Sequence, residues 1–138
     1  MAREIFVDTG GFYALLAGRD DRHREACRIL HGAPRKRQTF VTTDYVLDET
    51  ATLLKARRLR QLLRPLFETL ASSAACRIEW TDSARFERVL RFFLKHQDQD
   101  WSFTDCASFV VMQESGLSRA LTKDEHFRQA GFEALLVR

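Results

Sequence analysis

The sequence predicts one α/β domain, a parallel sheet covered on both faces by helices. Three observations predict it. Five short segments, "EIFV", "TFVTT", "CRIEW", "RALT" and "ALLV", read as strands. They are short and apolar rather than alternating in polarity, which is the pattern of strands buried on both faces. Helical patterns separate one strand from the next, as a parallel sheet requires. No repeat, low-complexity tract or linker divides residues 1–138, so the whole chain reads as a single domain.

The elements follow in order. "EIFVD" is an apolar run ended by an acid and then by two glycines, a buried strand. "GFYALLAG" reads as a helix ending near Gly18, and "DRHREACRILHG" as a second helix closed by Gly32 and Pro34. "TFVTT" is the next strand. "DYVLDETATLLKARRLRQLL" reads as one long helix, in which Leu59, Leu62, Leu63 and Leu66 keep helical spacing until Pro65 breaks or restarts it. "CRIEW" is a strand, and "DSARFERVLRFFLKH" an amphipathic helix with Asp82 or Ser83 as its N-cap. "WSFTDCASFVVM" is a further helix, and "RALT" and "ALLV" are strands on either side of "KDEHFRQAG".

Composition narrows the function classes. The 138 residues are 45% hydrophobic, enough for a real core. The formal net charge is +3, from 22 basic and 19 acidic residues, which permits a polyanionic partner without demanding one. Cys27, Cys76 and Cys106 form no C-x-x-C pair and read as reduced thiols. His23, His31, His96 and His126 do not join them at zinc-ligand spacing. No apolar run reaches the length of a membrane span, and the start of the chain lacks a signal-peptide core, so a cytoplasmic protein is expected.

Sites in such folds lie beyond the carboxyl ends of the strands, and acids fall there. Asp8 ends the first strand; it could serve simply as an N-cap. Asp105 enters an apolar helix, and no Lys or Arg occurs from Trp101 to Leu117 to pair with it. It could close a capping box with Ser102. At about 100° per residue it also shares a face with Cys106, Phe109 and Met112. Glu49 sits at the edge of the arc formed by Val46, Leu47, Thr50, Leu53 and Leu54, against the plainer reading of an exposed helix glutamate, whereas Asp44 and Asp48 project to the solvent side. Asp124 follows "RALT"; it could be a first-turn acid in a helix capped by Thr122 and Glu125. Ile5–Gly18 and Gln38–Leu54 also lack basic residues. Carboxylates gathered without a cation raise one another's pKa. A hard divalent ion such as Mg²⁺ or Mn²⁺ resolves that conflict, because it takes oxygen ligands.

Taken together, these motifs resemble the PIN-domain ribonucleases, of the kind found as toxins in VapBC toxin–antitoxin pairs. "IFVDTGGFYALL", "TTDYVLDETATLL", "DWSFTDCASFVVM" and "RALTKDEHFRQAGFEALL" match the family's four motifs in order, with acids at Asp8, Glu49, Asp105 and Asp124. The resemblance implies a three-layer α/β/α sandwich around a five-stranded parallel sheet. It implies Mg²⁺- or Mn²⁺-dependent endonucleolytic cleavage of RNA, leaving a 5′-phosphate and a 3′-hydroxyl, with Asp8 and Asp105 as the foremost ligands. It also implies a homodimer and a small antitoxin partner. Thr9, Thr104 and Thr122 stand beside the acids as accessory residues, and Asp100, with Asp98 nearby, as an accessory acid.

RNA needs cations around so acidic a site. Arg35, Lys36 and Arg37, and Lys55, Arg57, Arg58 and Arg60, are the candidates, against the plainer reading of a solvated basic face. Trp101, Phe103 and Tyr13 could stack on bases or belong to the core. Other readings stay open: an RNA-processing nuclease without a toxin role, a phosphoryl-handling receiver or phosphatase domain, and a non-catalytic RNA- or protein-binding module. A receiver could use Lys123, but its early acid pair is missing; the phosphatase pattern wants an Asp where Gly10 stands.

Overall fold

The strand β1 (Glu4–Val7) lies at the centre of a five-stranded sheet in a computed structural model that describes residues 3–138. Its side chains Ile5, Phe6 and Val7 are all buried. After β1 come α1 (Thr9–Leu16), α2 (His23–Gly32), β2 (Thr39–Thr43) and α3 (Asp44–Ala56). A 3₁₀ turn (Arg60–Leu62), α4 (Leu63–Ser72), β3 (Cys76–Glu79), α5 (Ser83–Lys95) and α6 (Phe103–Glu114) follow. The chain ends with β4 (Arg119–Leu121), α7 (Glu125–Gln129) and β5 (Glu133–Ala134).

The strand order is β3-β2-β1-β4-β5, and every pairing is parallel. The chain therefore builds outward from β1 to β3, then returns to add β4 on the other side of β1. That reversal makes the carboxyl ends of β1 and β4 the switch point, where such sheets leave a crevice. Right-handed crossovers place α1–α4 on one face and α5–α7 on the other. The side chains agree. Phe6 meets Phe127 at 6.3 Å between ring centroids, and Phe127 stands edge-on to Phe109 of α6 at 4.9 Å. Val7, one residue on, points the opposite way and joins Phe12 and Leu66 along an apolar groove.

Gly11 explains how closely α1 sits on the switch point. A β-carbon there would overlap the Leu121 carbonyl oxygen. Only glycine lets the first turn of α1 lie against the end of β4. Gly11 is thus a packing requirement as well as a turn signal.

Two elements differ from the sequence expectation. The long helix ends at Ala56, before Pro65. Arg58 adopts a left-handed backbone (φ 60°), the Arg58 amide bonds the Lys55 carbonyl, and the Leu59 amide bonds the Leu54 carbonyl at 2.8 Å. This is a Schellman stop with arginine where glycine is usual, so no glycine announced it. Pro65 instead sits in the first turn of α4, where proline is tolerated. The last strand is Glu133–Ala134 rather than "ALLV". Beyond it the chain still follows β4, with the Leu135 amide on the Ala120 carbonyl and the Leu136 amide on the Thr122 carbonyl. The three cysteines are free thiols. No helix among the described residues is long and apolar enough to cross a membrane.

Candidate active site

Each acid owes its place to a strand or helix end. Asp8 leaves β1 and caps α1, with Oδ1 accepting from the Gly11 amide at 2.8 Å. Asp105 stands in the first turn of α6, where it and Ser102 form a complete capping box. Asp124 leaves β4 and caps α7, with Oδ1 accepting from the His126 amide at 2.9 Å. Glu49, in the second turn of α3, is exposed after all, yet it accepts from the Thr9 hydroxyl at 2.5 Å. These four acids line one cleft of about 270 Å³, together with Thr9, Gly10, Thr104 and Ser108. The structural roles read from the sequence therefore hold at Asp8 and Asp105, and they coexist with exposure to a shared cleft. At Asp124 the expectation needs correcting: the acid is itself the cap, and no Thr122–Glu125 box forms, because the Thr122 hydroxyl is engaged elsewhere.

Thr122 ties two of the acids together. Its buried hydroxyl donates to Asp8 Oδ2 at 2.6 Å and accepts from the Asp124 amide at 3.0 Å. The Asp8 side chain uses both oxygens in this way. On Asp105, Oδ2 accepts from the Ser102 amide at 3.1 Å and lies 3.1 Å from His126 Nδ1. Glu49 Oε2, Asp105 Oδ1 and Asp124 Oδ2 have no hydrogen-bond partner among the described residues. Three carboxylates therefore each keep one oxygen pinned by the protein and one free.

Charge is concentrated here, and among the described residues no Lys or Arg pairs with the four acids. Asp8 is only 7% exposed. Burial pushes its carboxyl from an ordinary 3.8 up to about 7; the hydrogen bonds from Thr122 and Gly11 oppose this, and the charges of Asp124 and Asp105 add to it. Burial likewise raises Asp105; the Ser102 amide and His126 pull it down, while Asp124 pushes it up. Lys123 lines the cleft with its stem, yet its ammonium pairs with Asp20 at 2.9 Å and Asp21 at 3.1 Å. It does not neutralise Asp8, so the receiver-like use of Lys123 has no geometric support. A donor set of carboxylate oxygens with free lone pairs suits a hard divalent cation. Asp105, Asp124 and His126 hold potential ligand atoms within 4.8 Å of one another.

Other residues named from the sequence fall in different places. Thr9, Thr104 and Thr122 are all at or behind the cleft. Asp100 and Asp98 are exposed in the connection from α5 to α6 and do not line the cleft. Asp48 is exposed as expected, but Asp44 is not merely solvated: it accepts from the Thr81 hydroxyl at 2.8 Å and amide at 3.1 Å, bracing α3 against the end of β3. Trp101 stacks on Phe92, and Phe103 packs among Tyr45, Phe86 and Phe93, so both belong to packing.

The basic residues separate into two groups. Arg35, Lys36 and Arg37 precede the first residue of β2, at the opposite end of the sheet from the acids. Lys55, Arg57, Arg58 and Arg60 lie at the far end of the helix that carries Glu49. None of these four makes an ion pair among the described residues, whereas Arg77, Arg85 and Arg88 are satisfied by Glu4, Glu79 and Glu114. The Arg57 guanidinium sits 5.3 Å over the Tyr13 ring. A shallow groove along α3, lined by Thr52, Leu53 and Ala56, meets the acidic cleft at Glu49 and Thr104.

The sequence alone gives His126 no role beyond its lack of zinc-ligand spacing to the cysteines. The available signal was its place two residues after an acid that could cap a helix. Its second contact, to Asp105, depends on the packing of α6 beside α7.

An α/β sandwich with acids gathered at its switch point is an architecture that nuclease domains share with other phosphate-handling folds. The family model for the PIN domain matches residues 5–133, and the chain belongs to that family. Over 128 residues it is 33% identical to the 23S rRNA-specific endonuclease VapC20 of Mycobacterium tuberculosis, spanning 93% of this chain and 95% of that one. It is 29% identical over 123 residues to a VapC ribonuclease of Archaeoglobus fulgidus, spanning 88% of this chain and 77% of the relative. The crystal structure of VapC20, a sarcin–ricin loop cleaving toxin, superposes with a TM-score of 0.82 at 31% identity, covering 93% of this chain and 95% of that one.

The raised Asp8 carboxyl makes a stability prediction. An acid with a higher pKa folded than unfolded takes up a proton on folding, so its contribution falls as pH rises from 3.8 toward about 7. At about 1.4 kcal/mol per pH unit, the full penalty is on the order of 4 kcal/mol. A cation bound beside Asp8 would relieve it. The gap in melting temperature between protein in Mn²⁺ and protein in EDTA should therefore widen as pH rises to 7. A gap independent of pH contradicts this account of Asp8.

Proposed function

We propose that this chain is a divalent-cation-dependent endoribonuclease and the toxin of a toxin–antitoxin pair. The observation that carries this reading is the convergence of Asp8, Glu49, Asp105 and Asp124 on one cleft from which the neighbouring lysine ammonium is turned away. Asp105, Asp124 and Glu49 would hold Mg²⁺ or Mn²⁺ through their free oxygens, and Asp8 through lone pairs left by its two hydrogen bonds. When bound, such ions lower the pKa of water and stabilise the leaving oxygen of a phosphodiester. The protein's part is to fix the acids. Thr122 and the Gly11 amide orient Asp8, Ser102 orients Asp105, and Thr9 draws Glu49 toward α1. Thr104 borders the cleft where the α3 groove begins.

RNA would enter along that groove, its phosphates met by Lys55, Arg57, Arg58 and Arg60. The position of Arg35, Lys36 and Arg37 beyond the opposite end of the sheet argues against their touching the same nucleotides. The relatives' activities on RNA support the substrate class, and the toxin VapC20 supports the pairing with a small antitoxin. A homodimer fits the exposed apolar side chains of Trp80, Phe86, Leu90 and Leu94 on and before α5.

Asp105→Asn should abolish cleavage of a structured RNA panel, including a sarcin–ricin loop oligonucleotide, while leaving the folded circular dichroism spectrum intact. Full activity in that variant rejects the site. Arg58→Gly should do two opposite things. It relieves a left-handed arginine and so raises stability by about 0.5–1 kcal/mol. It also removes a phosphate contact, lowering the salt dependence of RNA binding by roughly 0.7 in log–log slope. Unchanged RNA binding, measured with the Asp105→Asn protein as background, removes Arg58 from the substrate path.

A further inference from the structure

The His126 imidazole stands behind the acidic cleft and not among the side chains that line it. Its Nδ1 lies 3.1 Å from Asp105 Oδ2 and 3.4 Å from Asp124 Oδ1. Those carboxylates come from different elements, the first turn of α6 and the cap of α7, and no backbone hydrogen bond sets their separation. Two carboxylates this near an imidazole repel each other, and both are pure acceptors when ionised. The nitrogen facing them therefore carries the proton. The oxygens it approaches are the ones the backbone already holds: Asp105 Oδ2 takes the Ser102 amide, and Asp124 Oδ1 takes the amide of His126 itself. Asp105 Oδ1 and Asp124 Oδ2 are left without protein partners among the described residues.

We propose that His126 is a positioning residue whose Nδ1–H bonds Asp105 and draws Asp124 close by charge, presenting their free oxygens to one shared cation. The inference rests on reading the chain as a metal-dependent nuclease and adds a residue to it. Partners of this outer kind set ligand orientation, and their loss typically weakens metal binding by about 10–100-fold. His126 would not itself touch the ion or the RNA.

The test is Mn²⁺ binding to the full chain, followed by calorimetry and electron paramagnetic resonance, in the wild type, His126→Ala, His126→Asn and Asp105→Asn. His126→Ala should weaken Mn²⁺ binding at least tenfold, with a melting temperature in EDTA close to wild type. His126→Asn keeps an N–H donor on a shorter stem and should recover part of the affinity. Pulsed spectra of the wild type should show no directly coordinated nitrogen. Mn²⁺ affinity unchanged in His126→Ala, but lost in Asp105→Asn, overturns the tie and leaves the nuclease reading standing. A coordinated nitrogen overturns it too, by making His126 a direct ligand. A wild-type chain that binds no Mn²⁺ overturns both. Should His126→Ala fail to fold, His126→Asn and the wild-type spectrum still decide.

Discussion

The fold is organised around a carboxylate it cannot comfortably ionise alone. Asp8 is buried at the end of the central strand, at the point where the chain reverses its direction of sheet building. Its position is over-determined: β1 is covered on both faces, Gly11 lets α1 press against the end of β4, and Thr122 of that same strand end donates to the Asp8 carboxylate. Burial of a charge is tolerated only with hydrogen bonds and a counter-charge. The hydrogen bonds are present, and the nearest ammonium, on Lys123, is committed to Asp20 and Asp21. The hydrogen bonds therefore fix Asp8 in place, while the nearest ammonium leaves its charge unpaired.

That constraint gives meaning to the surrounding elements. Asp8, Ser102 and Asp124 each cap a helix, and the first turns of α1 and α6 line the cleft. The caps orient acids, and unpaired helix amides at those ends favour negative charge. Structural and chemical roles are therefore carried by the same side chains. The question of what compensates Asp105 has two layers of answer. The Ser102 amide and His126 hold one oxygen, and the other is left for a cation in the proposed mechanism.

Much of this was legible in the sequence because it is local. Short apolar runs ending in Asp8 or followed by Thr122 and Asp124 reveal strand ends, and the basic-free windows around Asp8, Glu49 and Asp105 show acids without nearby cations. The Asp44 and Asp124 details were not legible in the same way. Thr81 reaches Asp44 from beyond β3, the Thr122 hydroxyl is drawn away to Asp8 on β1, and competing caps within a few residues look equally good. The end of α3 was hidden because Leu59, Leu62 and Leu63 continue a helical pattern across a left-handed Arg58. His126 was hidden for a different reason: its significance exists only once α6 and α7 are neighbours. The sequence already places Lys55, Arg57, Arg58 and Arg60 downstream of Glu49, whereas the position of Arg35, Lys36 and Arg37 at the opposite end of the sheet follows only from strand direction.

The most direct measurement is anomalous diffraction from crystals of the protein grown or soaked in Mn²⁺. The account predicts a manganese peak in direct coordination range of Asp8 and of the free oxygens of Asp105 and Asp124, with Lys123 still turned toward Asp20 and Asp21. A cleft without manganese at saturating concentration, or one in which a lysine or arginine side chain has swung in to neutralise the acids, would contradict it.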